Sequence, residues 1–173
     1  MQSKRIQKMT QLALMFALTV VLMVLEGMIP PIPTLPPGIK LGLSNVAVMY
    51  TLFYLGKGSA ITLLTMKSLF VFLTRGVTAF CMSFAGGILS VCVMILLMLL
   101  KKQNISFIMI SIWAAVAHNM AQLCVSAILL SSTAAFGYAP ILAVSGILMG
   151  VVTGTLLKVM MPVMQRLSFK NRA

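Results

Sequence analysis

The sequence predicts an all-α integral membrane protein, a single transmembrane domain over residues 1–173 built as a bundle of six helices. Three observations predict it. Of 173 residues, 61% are hydrophobic and only 8% charged, against roughly 25% charged in a soluble domain. The mean hydropathy is +1.10, and so few charges would not cover a globule of this size with solvated surface. The apolar residues also fall in six runs, and the basic residues collect in alternate connections between them.

The first run, about 10–29, follows Lys4, Arg5 and Lys8 and stops at Pro30-Pro31. It has the basic start of a signal peptide but no small-residue cleavage site. Its core is about 20 residues rather than about 7–15, so it reads as a retained helix. The second run, about 41–55, ends at Gly56-Lys57-Gly58, and the third covers about 59–74. Both are shorter than the roughly 17–25 residues of a spanning helix, which predicts tilted, buried or partly re-entrant segments. The fourth, fifth and sixth runs cover about 79–100, 105–130 and 140–161. With six spans, Lys57, Lys101, Lys102, Lys158, Arg166, Lys170 and Arg172 share the N-terminal side. The opposite connections hold only Lys40 and Arg75. That asymmetry places both termini in the cytoplasm, and it accounts for most of the net charge of +12 without any nucleic acid.

Composition excludes whole classes of chemistry. Glu26 is the one acidic residue in the chain, so paired carboxylates, aspartate-rich magnesium diphosphate motifs and carboxylate metal cages are ruled out. One His and the scattered Cys81, Cys92 and Cys124 give no zinc spacing and no CxxC; the cysteines read as small buried hydrophobes. The sixteen Met residues read as adaptable packing. No catalytic residue, metal or cofactor is expected.

Inside a bilayer, the informative residues are the polar ones. Glu26 falls at the outer end of helix one, and Lys40 and Asn45 flank the start of helix two. Lys67 lies near the middle of helix three, Arg75 at its outer end, and His118, Asn119 and Gln122 in the middle to outer half of helix five. This distribution predicts a site half-way down the bundle and open to the outside. On helix five, Ser111, His118, Asn119, Gln122 and Ser126 fall within roughly a 100° arc. Such a stripe faces the interior, a cavity or a partner. For Asn119 and Gln122, an interhelical clamp and a ligand contact are equally open; for His118 the site reading is preferred because it adjoins both amides. A mid-helix lysine costs roughly 2.5–3.5 kcal/mol on insertion scales. Lys67 therefore either snorkels, pairs with Glu26, or joins Arg75 or Lys40 in presenting positive charge to an anionic or phosphate-bearing ligand. Five prolines between Pro30 and Pro37 stiffen the first outer connection, as a rim over a pocket or as a simple turn.

Small residues at four-residue spacing mark close helix approach. Gly146, Gly150 and Gly154 form a double GxxxG in helix six, and Ala117 and Ala121 repeat the spacing in helix five. Ala13 and Ala17 do so in the cytoplasmic half of helix one, where they are placed to dock a second protein.

Six spans in a short chain, AxxxA in helix one and polar groups gathered at the outer half resemble the substrate-binding S component of energy-coupling factor (ECF) transporters. Leu25-Glu26 ahead of a proline loop, then Pro37-Gly38-Ile39-Lys40-Leu41-Gly42-Leu43-Ser44-Asn45, resembles the bacterial Gx transporter family more closely. Ala117-His118-Asn119-Met120-Ala121-Gln122 fits that family too. Its members often carry the label heptaprenyl diphosphate synthase component I. Prenyl elongation needs aspartate clusters, and this chain has no Asp, so the label fits at most an accessory membrane subunit. The resemblance implies a six-helix S-component fold in the bacterial cytoplasmic membrane that captures a small molecule from outside. It implies docking through Ala13 and Ala17 on a transmembrane coupling subunit tied to two ATPases, which agrees with the absence of a GxxxxGK[ST] motif.

The expected function is therefore ECF-type capture of a small anionic or phosphate-bearing solute, by a lipid-embedded subunit with Glu26, Lys40, Asn45, Lys67, Arg75, His118, Asn119 and Gln122 at its site. The alternative is an accessory subunit of isoprenoid or quinone synthesis, or of flavin-linked extracellular electron transfer. Proton-coupled carriage through Glu26 and His118 ranks third.

Overall fold

A computed structural model describes residues 2–28, 42–100, 106–131 and 133–167, with side chains described between 5 and 162. Lys40, the proline run, Lys101, Lys102, Lys170 and Arg172 lie outside the described residues, as do the side chains of Lys4 and Arg166. The described chain forms α1 (Gln2–Met28), α2 (Asn45–Tyr54), α3 (Lys57–Leu99), α4 (Phe107–Leu129), a short 3-10 turn (Thr133–Tyr138) and α5 (Ala139–Leu167). Four segments are long and apolar enough to cross a membrane: Arg5–Met28, Lys57–Leu99, Phe107–Leu129 and Thr133–Pro162. The protein is thus an all-α, multi-pass membrane protein, with the apolar side chains on its outer surface, such as Leu14, Leu73 and Ile128, meeting lipid.

In place of six separate helices, the described residues form five. The expected third and fourth segments are the two arms of α3, and the loop expected between them shrinks to one residue. At 43 residues, a straight α3 would run about 65 Å, twice the roughly 30 Å of a hydrocarbon core. It does not run straight. Gly76 has φ +84° and ψ −175°, a conformation essentially confined to glycine, and the chain folds back there. A Cβ on Gly87 would run into the Leu64 side chain, and Phe72 meets Phe80 edge-on at 5.9 Å. Residues 23 positions apart would be more than 30 Å apart on a straight helix.

α2 is short because it is interior. Val46 through Leu52 are all buried, the all-round apolar pattern of a helix with no solvated or lipid face. It ends where Leu55 and Gly56 both donate to the Thr51 carbonyl, at 2.9 and 3.0 Å, with Gly56 at φ +96° in the usual role of a glycine helix terminator. The apolar core gathers where α2, both arms of α3, α4 and α5 meet, around Leu52, Leu63, Leu64, Met94, Ile110 and Leu157. α4 packs most extensively, between α3 and α5. Its first turn is closed by Ser106, whose hydroxyl accepts from the Ile108 N–H at 3.3 Å.

Along α5, a Cβ on Gly146 or Gly154 would lie 3.0 Å from Val116 Cα or 2.9 Å from Ile108 Cα, and one on Gly150 would overlap the Ile112 backbone. The glycines let α4 and α5 touch main chain to main chain. α1 is attached more lightly, to α2 and α3, through an inward stripe of Met15, Thr19, Met23 and Glu26. Ala13 and Ala17 are exposed on its other face.

Candidate functional site

Between the C-terminal end of α1, the fold of α3 and the middle of α4 lies a cavity of about 300 Å³. Glu26 enters it from α1, Lys67 and Arg75 from the first arm of α3, Ser83 from the second arm, and His118 and Gln122 from α4. Met23, Val71, Ala79 and Met82 form apolar wall between them. Five of the side chains that the sequence nominates therefore meet in one space, although 96 positions separate Glu26 from Gln122.

Four of the polar wall residues, Glu26, Lys67, His118 and Gln122, make specific hydrogen bonds. The Glu26 carboxylate accepts the backbone N–H of Gly42. Gly42 sits at φ +76° just ahead of α2, so its missing side chain permits both the turn and the approach. Lys67 is 5% exposed and donates to Asn45 Oδ1 at 2.6 Å. The sequence leaves it snorkelling, pairing with Glu26, or presenting charge to an anionic ligand beside Arg75 or Lys40; in the structure its hydrogen bond goes to the first residue of α2. An amide oxygen is a neutral acceptor for a buried ammonium, and two of the three N–H donors stay available. Arg75 is exposed at the mouth, with Nη2 3.3 Å from where a Cβ on Gly27 would lie. A larger residue on that face of α1 would press the guanidinium aside by a few tenths of an ångström.

The α4 stripe divides. His118 Nε2 and Gln122 Nε2 are 3.1 Å apart, which makes the ring nitrogen the acceptor and places its proton on Nδ1. That Nδ1 has no well-formed hydrogen bond and lies against Gly86, where a Cβ would be 2.9 Å away. Asn119 turns away from the cavity and clamps α5, donating to the Leu142 carbonyl at 3.0 Å and to Ser145 Oγ at 3.2 Å. Ser111 meets Thr153 at 2.7 Å on the same seam. Asn45 and Asn119 both border a second, much smaller pocket of about 20 Å³ next to the main cavity, with Gly42 and His118 shared between the two.

Sequence reasoning missed Gly27, Gly42, Ser83 and Gly86 as site-forming residues. The adjacent Gly86-Gly87 carried a signal, because each glycine inside a helix costs about 1 kcal/mol relative to alanine and such a pair asks for a packing reason. Here the reason is the His118 ring on one side and Leu64 on the other.

The family model for heptaprenyl diphosphate synthase component I matches residues 15–160. The chain belongs to that family. The matched stretch takes in Glu26, Lys67, Arg75, His118 and Gln122, so the whole cavity lies inside the family's domain. No curated protein sequence and no solved structure matches the chain.

Proposed function

We propose that this chain is the substrate-binding subunit of an ECF-type, ATP-driven importer for a small anionic or phosphate-bearing molecule. The observation that carries the reading is the cavity, in which two cations and one carboxylate line a space of about 300 Å³, at the small end of the range for ligand pockets. Arg75 is exposed at the mouth and makes no ion pair with a described residue, so its planar fork is free for a carboxylate or phosphate. Lys67 lies deeper with donors to spare, and His118 and Gln122 supply neutral hydrogen-bonding groups opposite. In this reading both termini are cytoplasmic, the cavity opens outward, and the membrane is a bacterial cytoplasmic one. Ala13 and Ala17, exposed on lightly attached α1, are available to a transmembrane coupling subunit. ATP hydrolysis belongs to the two partner ATPases and this chain catalyses nothing.

The test is gentle purification from native membranes, with mass spectrometry of co-eluting proteins and retained small molecules, on wild type and Lys67→Met. We expect a coupling subunit, two ATPases and an acidic small molecule with the wild type. We expect at least tenfold less of that molecule from Lys67→Met at equal membrane yield. A fall in yield matching the fall in bound molecule makes Lys67 structural and removes it from the site. The family description favours a second reading, a non-catalytic accessory subunit that scaffolds an isoprenoid-synthesising partner. It predicts co-purification of a prenyltransferase without ATPases, and indifference to Ala13→Arg and Ala17→Arg.

A further inference from the structure

The small pocket beside the main cavity is lined by apolar side chains and by polar residues whose hydrogen-bonding capacity the described residues do not use up. Asn45 on α2 accepts from Lys67 through Oδ1; an ammonium only donates, so this fixes the orientation of the amide. Its NH₂ group is left without a described partner. Asn119 on α4 spends both amide hydrogens, on the Leu142 carbonyl and Ser145 Oγ. Its Oδ1 is left as a free acceptor. Ser90 on the second arm of α3 is 4% exposed and makes no hydrogen bond to a described residue. All three border the same pocket of about 20 Å³. A residue with a donor to spare, one with an acceptor to spare and one with a hydroxyl of either kind thus border it from three helices.

A single water needs roughly 10–15 Å³ of such volume and two to four polar partners. We infer that this pocket is a binding site for one buried water molecule, held by Asn45, Ser90 and Asn119. The same groups argue against a cation. No carboxylate borders the pocket, the group that Asn45 has to spare is a donor, and its Oδ1 already holds the ammonium of Lys67. The water completes a chain from Lys67 through Asn45 to Asn119 and on to Leu142 at the start of α5. In this way it braces the deep cation of the cavity against the closely packed α4–α5 seam. Its presence does not depend on what the main cavity binds.

Methionines make the site measurable. Met49 and Met94 border the pocket and are 3% and 2% exposed, while Met15 is equally buried at 3% and borders neither cavity. Ionising a bound water by an X-ray pulse produces hydroxyl radical beside the first two and not beside the third. In the full chain embedded in lipid nanodiscs, we expect Met49 and Met94 to be oxidised several-fold faster than Met15. Equal rates for the three overturn the proposal. Ser90→Val removes one partner and fills part of the space. In the folded variant Met49 and Met94 should fall to the Met15 rate while Met23, on the larger cavity, stays unchanged. Continued fast oxidation of Met49 and Met94 in that variant also overturns the proposal. If Ser90→Val does not fold, the wild-type comparison decides alone.

Discussion

The α4–α5 seam and the space between α1 and α3 are two solutions to packing helices in lipid, and they differ in what the side chains leave behind. On the seam, three glycines a turn apart remove the side-chain layer, and two backbones touch at Ile108, Ile112 and Val116. Across the other space, Glu26, Lys67, Arg75 and His118 keep the walls apart around about 300 Å³. Lipid supplies little hydrophobic force for pulling helices together, so close packing has to come from shape. A buried charge, conversely, demands a partner or a polar space. The tight seam gives the bundle a rigid back, and the cavity is built against it through α4.

The comparison is broken most directly at Gly150. A Cβ there overlaps the Ile112 main chain, which cannot yield as a flexible side-chain tip can. Gly150→Val should cost about 3 kcal/mol, the upper part of the ordinary overpacking range, measured by reversible unfolding in mixed micelles. Gly154→Ala should cost less, because its nearest contacts are Ile108 Cα at 2.9 Å and Ser111 Cβ at 3.1 Å. If Gly150→Val unfolds with wild-type stability, the helices do not meet main chain to main chain, and the rigid-back account fails.

How much of this was legible in the sequence follows from which forces act locally. The apolar runs, the cost of a mid-membrane lysine and the GxxxG spacing are properties of single segments, and each could be read from one. The reversal within α3 was legible too, as a break between about 74 and 79, but its closure at the single residue Gly76 was not. A lone glycine in an apolar run reads the same whether the helix tolerates it or reverses at it, and the Gly76 backbone angles together with the Gly87–Leu64 approach distinguish the two. The partner of Lys67 was out of reach for the same reason, since Asn45 lies 22 positions away on a helix placed by burial. The polar stripe on α4 was visible as one face, but neighbours on a helix point about 100° apart. That angle is enough to send Asn119 to α5 and His118 to the cavity.

On the open side the comparison is sharpened at Gly42. Alanine at φ +76° carries the left-handed penalty of roughly 1–2 kcal/mol. Its Cβ would also stand 3.1 Å from Asn45 Nδ2, and the residue's N–H holds Glu26. Gly42→Ala should therefore lose about 1–2 kcal/mol of stability and disturb both Glu26 and the Lys67–Asn45 bond. The second effect separates it from the Gly150 variants. Retention of the co-purifying small molecule should fall with Gly42→Ala more than with Gly154→Ala, even where the two are equally stable. Equal retention would mean that the turn before α2 does not set the cavity wall.

The smallest effect belongs to the hydrogen bond between Ser111 and Thr153, which crosses the tight seam beside the Asn119 clamp. Thr153 Oγ1 donates within its own helix, to the Met149 carbonyl at 2.8 Å, so the 2.7 Å contact with Ser111 is made by the serine's proton. Removing it with Ser111→Ala leaves the threonine donor satisfied and no polar atom stranded. Interhelical hydrogen bonds in a membrane average about 0.6 kcal/mol, and with the glycine contacts intact the loss should not exceed that value. A loss of about 2 kcal/mol in the same unfolding assay would mean that polar pairing rather than backbone proximity holds α4 to α5. It would reverse the roles assigned here to Ser111 and Gly150.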